Sequence, residues 1–340
     1  MRHTLFALPL LLLGITAAST SRADEYHLGQ GLLIGDFLLS GYANLVAEAP
    51  QGGIAKASID DFSLFVSGRV NRWVNPFLET EISSLTLAQQ GDGPRANGHF
   101  ILERFYNDTS LSESDTLRVG KMLAPVGDWN LVHAAPLVPT VTRPLTTFLG
   151  FSEYTNGLSW LHETPSGEGP NSQLYWQPSN EWHERPSSIT HRHYRDVWGA
   201  HISWPHGFTD KIGASFQHGQ LLETGETYNV YGINVRRSFG KLLMESEATT
   251  SNWSGTAPRM HDHETGIYML ADYAATPRWH GILEWEHFQS HLVDQASRNT
   301  LLGVAYKPES TLVWKLEYVH QMDVSADIQS GWFASLSTLF

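Results

Sequence analysis

Charged side chains in this sequence often recur at every second position. Three such pairs are Glu79 and Glu81, Glu245 and Glu247, and Lys315 and Glu317. Side chains two residues apart on an extended strand point to the same face of a sheet. Carboxylates gathered around a water-filled passage favour cations over anions. The chemistry that this spacing predicts is therefore electrostatic selection of small solutes along a passage.

Patterns typical of catalysis do not occur in the sequence. It has no G-x-S-x-G or H-E-x-x-H pattern, no glycine-rich phosphate-binding loop and no cysteine. Two histidine pairs, His191 with His193 and His261 with His263, lie in predicted outer loops, where such spacing can bring two imidazoles to one metal. Neither pair has an assured third ligand, so solvent exposure is the preferred interpretation. We predict no enzyme activity, no cofactor and no bound metal.

The elements that must position the charged residues are strands that alternate apolar with polar side chains. Between Asp61 and Val70, the sequence DFSLFVSGRV puts Phe62, Leu64 and Val66 on one face. Repeated alternating segments of about ten residues are typical of transmembrane β-barrels. Sixteen segments are predicted, an even number as in single-chain bacterial barrels. They begin near Gly35, Ser58, Phe77, Gly98, Thr116, Gly157, Ser172, Asp196, Asp210, Thr227, Lys241, Glu264, His280, Arg298, Thr311 and Gly331.

The connections between these segments alternate in length. Those after even-numbered segments, such as SFG and TPRW, are short and rich in turn residues. Most of those after odd-numbered segments are longer, and the longest runs from Pro125 to Asn156. Short periplasmic turns and longer outer loops are typical of outer-membrane barrels. The prediction is an all-β, antiparallel, up-and-down transmembrane barrel with both termini in the periplasm.

The first 23 residues have the order of a secretory signal peptide. Arg2 precedes an apolar run from Leu5 to Ile15, and small residues lead to Ala23. The run is shorter than the roughly 20 residues that a transmembrane helix needs. We expect cleavage after Ala23, which leaves 24–340 as one barrel domain in the cell outer membrane, with lipid and small solutes or ions as partners. The net charge of −13 argues against nucleic acid as a partner.

The end of the chain supports the same location. In the last ten residues, GWFASLSTLF, every second side chain from Trp332 to Phe340 falls on one face. This end resembles the assembly signal of outer-membrane barrels, which commonly finish in Phe. The resemblance implies that the outer-membrane assembly machinery recognises Phe340. A homotrimer and a monomer are both open at this point.

The segment 116–148, TLRVGKMLAPVGDWNLVHAAPLVPTVTRPLTTF, resembles porin-like proteins related to the phosphate-selective porins. The resemblance implies a 16-stranded barrel whose loop after the fifth strand folds into the lumen and forms a constriction. The longest predicted connection does follow the fifth segment. These ionisable groups then either face a solute or anchor the loop to the wall: Lys121, Asp128, His133, Arg143 and Glu153.

The alternation assigns the following side chains to the lumen wall: Arg69, Glu79, Glu81, Arg118, Arg236, Glu245, Glu247, Lys315 and Glu317. Phosphate-selective porins line their pores with Lys and Arg, whereas carboxylates predominate here, so a mild cation preference is expected. Cross-strand ion pairs that brace the wall are a structural alternative, with Arg69 beside Glu79 and Arg236 beside Glu245. An alternative for the whole chain is a plugged barrel that acts as a scaffold or conduit sheath for a periplasmic or surface partner.

Overall fold

The computed structural model describes residues 28–340 except 96, 168, 183–190, 208 and 324–328, so the predicted signal peptide lies outside the described residues. One β-sheet dominates, with two 3-10 helices at Trp129–Leu131 and Leu145–Thr147. Among the residues described, no helix is long and apolar enough to cross a membrane. The strands are β1 Leu32–Ile34, β2 Phe37–Pro50, β3 Lys56–Gly68, β4 Asn75–Gln89, β5 His99–Ser110, β6 Asp115–Leu123, β7 Tyr154–His162, β8 Asn171–Asn180, β9 Tyr194–His206, β10 Asp210–Leu221, β11 Thr227–Phe239, β12 Leu242–Ser254, β13 His263–Ala274, β14 Trp279–Gln289, β15 Ser297–Glu309, β16 Leu312–Gln321 and β17 Gly331–Leu339.

The strands from β2 to β17 close into a barrel. Each pairs antiparallel with the next along the chain, and β17 pairs back with β2. The predicted fold and the predicted sixteen strands are therefore confirmed. Closure leaves the barrel without an unpaired edge, so its backbone N–H and C=O groups are satisfied without water.

The short strand β1, which was not predicted, pairs with β2 next to the last residue of the chain. Phe340 and Gly41 exchange two backbone hydrogen bonds of 2.9 Å, and further along β2 Leu39 pairs with Leu32 of β1. β1 therefore continues the line of β17 and covers the part of β2 that β17 does not reach.

The alternation of the sequence appears directly in the exposure of successive side chains. On β16, Trp314 and Leu316 are about half exposed on the outside, at 50% and 46%. The intervening Lys315 and Glu317 point inward and are only 5% and 2% exposed. An apolar outer wall in contact with lipid and a polar inner wall require this period of two.

The connections follow the predicted parity with three exceptions: the links 51–55 and 222–226 on the longer-loop side are short, and the link 163–170 on the other side is longer than 290–296. Most links at that other end of the barrel are brief, such as 240–241 and 310–311. The longest connection, residues 124–153 between β6 and β7, is the fifth-strand loop of the prediction and is called the inner loop below.

Apolar side chains fill part of the barrel interior. Trp129 of the inner loop is buried in one cluster with inward side chains of β13–β16 that include Leu270 and Val313. A second cluster contains Ala124, Val126 and Phe151 of the inner loop and these wall residues: Tyr175, Tyr194, Val197, Leu221, Tyr228, Val230 and Trp253. The lumen is therefore divided into cavities between the inner loop and the wall.

Candidate pore constriction

Buried carboxylates on the inner wall hold the inner loop by its backbone. Glu247 Oε1 on β12 accepts hydrogen bonds of 2.8 Å from the backbone N–H groups of both Asp128 and Trp129. Glu286 Oε1 on β14 accepts one of 2.9 Å from the N–H of Thr146 and one of 3.1 Å from its hydroxyl. A loop inside a barrel must satisfy its backbone groups away from bulk water, and these carboxylates do so.

A third anchor lies on β16. Glu317 accepts hydrogen bonds from the N–H groups of Val141 (2.7 Å) and Thr142 (2.8 Å) and from the Thr142 hydroxyl (2.8 Å). Next to it, Lys315 Nζ donates to the carbonyl oxygens of Ala135 (2.6 Å) and Thr140 (2.9 Å). Both charges of this pair are thus directed at the loop backbone.

The inner loop is also braced within itself. The Arg143 guanidinium donates to Asn130 Oδ1 (2.9 Å), to the Thr147 carbonyl (2.7 Å) and to Glu153 (3.1 Å). Asp128 forms an ion pair of 2.8 Å with Lys211 on β10. Of the predicted constriction residues, Arg143, Glu153 and Asp128 therefore all take part in fixing the loop.

A cavity separates the inner loop from the wall, where it is lined by residues of β2–β5 and by Lys315 of β16 and Ser335 of β17. Asp61, Glu81 and Glu103 line it on the wall side, and His133 and Arg143 line it on the loop side. His133 Nε2 lies 3.4 Å from a Glu103 carboxylate oxygen across this space. The cavity thus has an acidic wall that faces a basic edge of the loop.

Two strand irregularities place extra charges on the acidic wall. Asn44 pairs with Asp61 and Leu45 with Ile59, so Asp60 has no counterpart on β2 and lines the cavity together with Asp61. On β5, Leu102 and Arg104 pair with successive residues of β4, and Glu103 is the extra residue. A bulge breaks the strict in-and-out alternation. The sequence analysis did not single out Asp60, Glu103 or Arg104, because it applied that alternation without bulges.

The electrostatics of His133 depend on this wall. Burial and the Arg143 charge lower the pKa of its imidazole, but the Glu103 carboxylate and the Asn130 carbonyl together raise it by more, so the pKa lies above the ordinary value for histidine. The cationic form of His133 therefore persists to higher pH than that of a histidine in water.

Comparison with solved structures bears on the fold of the barrel. No family model and no curated protein matches the sequence. The anion-selective porin from Comamonas acidovorans is 12% identical with a TM-score of 0.65, over 89% of this chain and 99% of that chain. The trimer form of Vibrio cholerae OmpT is 11% identical with a TM-score of 0.61, over 89% of this chain and 99% of that chain. The outer membrane channel DcaP of Acinetobacter baumannii is 11% identical with a TM-score of 0.63, over 91% of this chain and 99% of that chain. This chain has the fold of the outer-membrane porins.

The other predicted wall residues of this porin-fold barrel occupy defined positions. Arg236 lies 3.0 Å from Glu245, as the bracing alternative predicts. Arg118 makes two hydrogen bonds to Asp108, at 2.7 and 2.8 Å. Lys121, which was predicted at the constriction, is buried on β6, and its Nζ donates to the Leu102 carbonyl at 2.6 Å. These side chains belong to the structure of the wall.

The expected pairing of Arg69 with Glu79 is wrong. Arg69 follows the end of β3 and is exposed, and no ion pair joins it to Glu79 or to another of the described residues. Arg104 of β5 pairs with Glu79 instead, because these two residues are in register.

Three of the four histidines in the two pairs have a polar partner nearby. His193 contacts Glu223 at 2.8 Å, His263 contacts Asn252 at 2.7 Å, and His261 lies 3.8 Å from Asp294. Within the described part of the chain, no group of three or more His, Cys, Asp or Glu residues is arranged to hold a metal ion.

Proposed function

We propose that this protein is an outer-membrane porin through which small polar solutes and ions diffuse passively. The observation that carries the proposal is the inner loop, which crosses a closed barrel and leaves a cavity beside a mainly acidic wall. Passive pores need a fixed, hydrated constriction, and a loop held by Glu247, Glu286 and Glu317 supplies a fixed one. Loops positioned by a rigid scaffold commonly carry such functions.

We further propose a mild preference for cations. Carboxylates outnumber cations in the lining of the cavity: Asp60, Asp61, Glu81, Glu103 and Glu153 against Arg143, Lys315 and the imidazole of His133. Clustered carboxylates favour cations. The motif at 116–148 supports a relation to phosphate-selective porins, but this acidic wall argues against selectivity for phosphate.

The test is the reversal potential of single channels in a planar bilayer under a KCl gradient. The wild type should conduct in steady ohmic steps with a cation-positive bias, and Asp61→Asn combined with Glu81→Gln should reduce that bias. Asp294→Asn, which removes an exposed charge from the outer loop 290–296, is the matched control. An anion bias of the wild type would overturn the assignment of selectivity.

A plugged barrel that serves as a scaffold or sheath is the second candidate. The observation in its favour is the apolar filling of the interior around Trp129 and Phe151. A correctly refolded barrel without any conductance in the same bilayer would favour this candidate over the porin.

We also propose that copies of the chain associate as a homotrimer, because the OmpT structure of similar fold was solved in a trimer form. Recognition of Phe340 by the assembly machinery is supported by its position, with its ring stacked on Phe62 at 5.7 Å at the seam of the barrel. Mass measurement of the protein in detergent tests the trimer, and a monomeric mass would contradict it.

A further inference from the structure

A row of aromatic side chains crosses the inner wall between the constriction and the short-turn end of the barrel. Tyr42, Phe65, Phe77 and Tyr106 lie on β2, β3, β4 and β5, and we call them the aromatic ladder. Successive ring centroids are 5.8, 6.0 and 5.1 Å apart. All four point inward, because they share faces with Ser63, Glu79 and other buried inward residues in the strand register.

The ladder descends along the wall. Tyr42 pairs with Ser63, two residues before Phe65, and Phe65 pairs with Glu79, two residues after Phe77. Phe77 and Tyr106 then pair directly with each other. The row therefore starts level with Glu81 of the acidic wall and ends next to an open cavity at the short-turn mouth, which Phe77 and Tyr106 line.

Two guanidinium groups are stacked on these rings. Arg104 lies 4.7 Å from the ring centroid of Phe77, and Arg118 lies 3.9 Å from that of Tyr106. Each cation also has a carboxylate partner: Glu79 for Arg104 and Asp108 for Arg118. Stacking on a ring and pairing with a carboxylate fix the orientation of a guanidinium.

This arrangement offers alternating hydrogen-bond donors, acceptors and apolar edges with little net charge. Each charge of the two pairs is compensated by its partner, and Arg69 and Arg72, which also line the mouth cavity, lie in the link 69–74 beyond the end of β3. A sugar hydroxyl both donates and accepts hydrogen bonds, so it matches a guanidinium beside a carboxylate. The apolar C–H groups of a sugar can pack against aromatic rings, and Phe65, Phe77 and Tyr106 are half-buried, whereas Tyr42 is buried and supports the row by its contact with Phe65.

We propose that the aromatic ladder is a binding track for neutral polyhydroxylated solutes, such as mono- and disaccharides, on their way out of the constriction. The proposal rests on the proposed porin function and specifies a class of solute for it. Aromatic side chains with a few fixed polar groups are the usual lining of small-molecule sites.

The experiment uses the full-length mature protein refolded in detergent and then inserted into planar bilayers, with maltose as the probe. Maltose should reduce the ion current reversibly and saturably in the wild type. Tyr106→Ala should weaken this block about five- to tenfold, the loss expected for one aromatic contact in a binding site. Phe105→Ala is the matched control, because Phe105 is the next residue on β5 but points outward and is about half exposed.

Two further measurements separate the possible failures. Tyr106→Phe keeps the ring and should keep most of the block by maltose. Because it removes only the hydroxyl, this variant still tests the role of the ring if Tyr106→Ala does not fold. Calorimetric titration of the refolded barrel with maltose reports binding without any need for conductance.

A conducting channel that maltose neither blocks nor binds would overturn the ladder proposal and leave the porin function intact. Maltose binding to a barrel that does not conduct would support the ladder and contradict the porin. Equal effects of Tyr106→Ala and Phe105→Ala would also overturn the ladder.

Discussion

Replacing Glu317 with alanine removes the acceptor of three hydrogen bonds that hold the middle of the inner loop. The N–H groups of Val141 and Thr142 and the Thr142 hydroxyl would lose their partner. Hydrogen bonds to a charged group contribute about 1.5–3 kcal/mol each but are not additive. Breaking a buried polar cluster by removing one partner costs about 3–5 kcal/mol.

A loss of this size shifts the equilibrium between docked and undocked loop by a factor of about 10² to 10⁴. Glu317→Gln keeps one carbonyl oxygen that can accept from Thr142 and should shift the same equilibrium only about tenfold. We therefore expect the undocked loop to be most populated in Glu317→Ala, less populated in Glu317→Gln and least populated in the wild type. Thermal unfolding of the whole barrel should change much less, because the sheet does not depend on this contact.

The assay is hydrogen exchange of the segment 136–146 by mass spectrometry, together with single-channel conductance and its noise. Glu317→Ala should speed exchange in this segment and give larger, noisier currents, since the constriction widens. Glu309→Ala, at an exposed position at the end of β15, is the control and should match the wild type. Unchanged exchange and conductance in Glu317→Ala would refute the view that wall carboxylates fix the loop.

Three further predictions concern the loop and the seam. Lowering the pH through the raised pKa of His133 puts a cation next to Glu103, so the cation preference should fall on acidification, and His133→Gln should flatten that dependence in reversal-potential measurements. Gly127 has a φ of +70°, and an added Cβ would collide with the Glu247 carboxylate, so Gly127→Ala should destabilise the docked loop by about 1–3 kcal/mol and raise exchange around it. An effect no larger than that of Gly91→Ala, whose Cβ meets open space, would contradict this reason. Deleting Phe340 removes a stacked ring and two backbone hydrogen bonds, so the yield of folded barrel on gels should fall, whereas an unchanged yield would contradict a role in assembly.

The local pattern of apolar and polar residues was sufficient to predict the architecture of the barrel. The period of two in segments such as DFSLFVSGRV reports a strand with lipid on one side and polar groups on the other, and each strand can be recognised without its neighbours. For this reason sixteen segments, their order and the parity of the connections could be predicted, including the position of the long inner loop. Only the short β1 was missed, since three apolar residues, Leu32–Ile34, carry no alternation.

The roles of the inward charges required the tertiary structure. Glu81 and Glu317 look alike in the sequence, yet Glu317 binds the loop backbone whereas Glu81 lines the cavity. The partners of Glu317 are 175 and 176 residues away along the chain, so no local pattern can identify them.

The bulges on β3 and β5 also decided which charges face the lumen, over only a few residues of the chain. At each bulge the inward phase shifts by one residue, so Asp60 follows the phase of Ser58 and Glu103 that of Ile101, whereas Asp61 and Arg104 begin the next phase. The sequence by itself determined a barrel with a polar interior, because the solvent on each side of a strand sets the type of its residues. Which interior charges hold the loop and which ones line the cavity was decided only when distant strands closed around the loop.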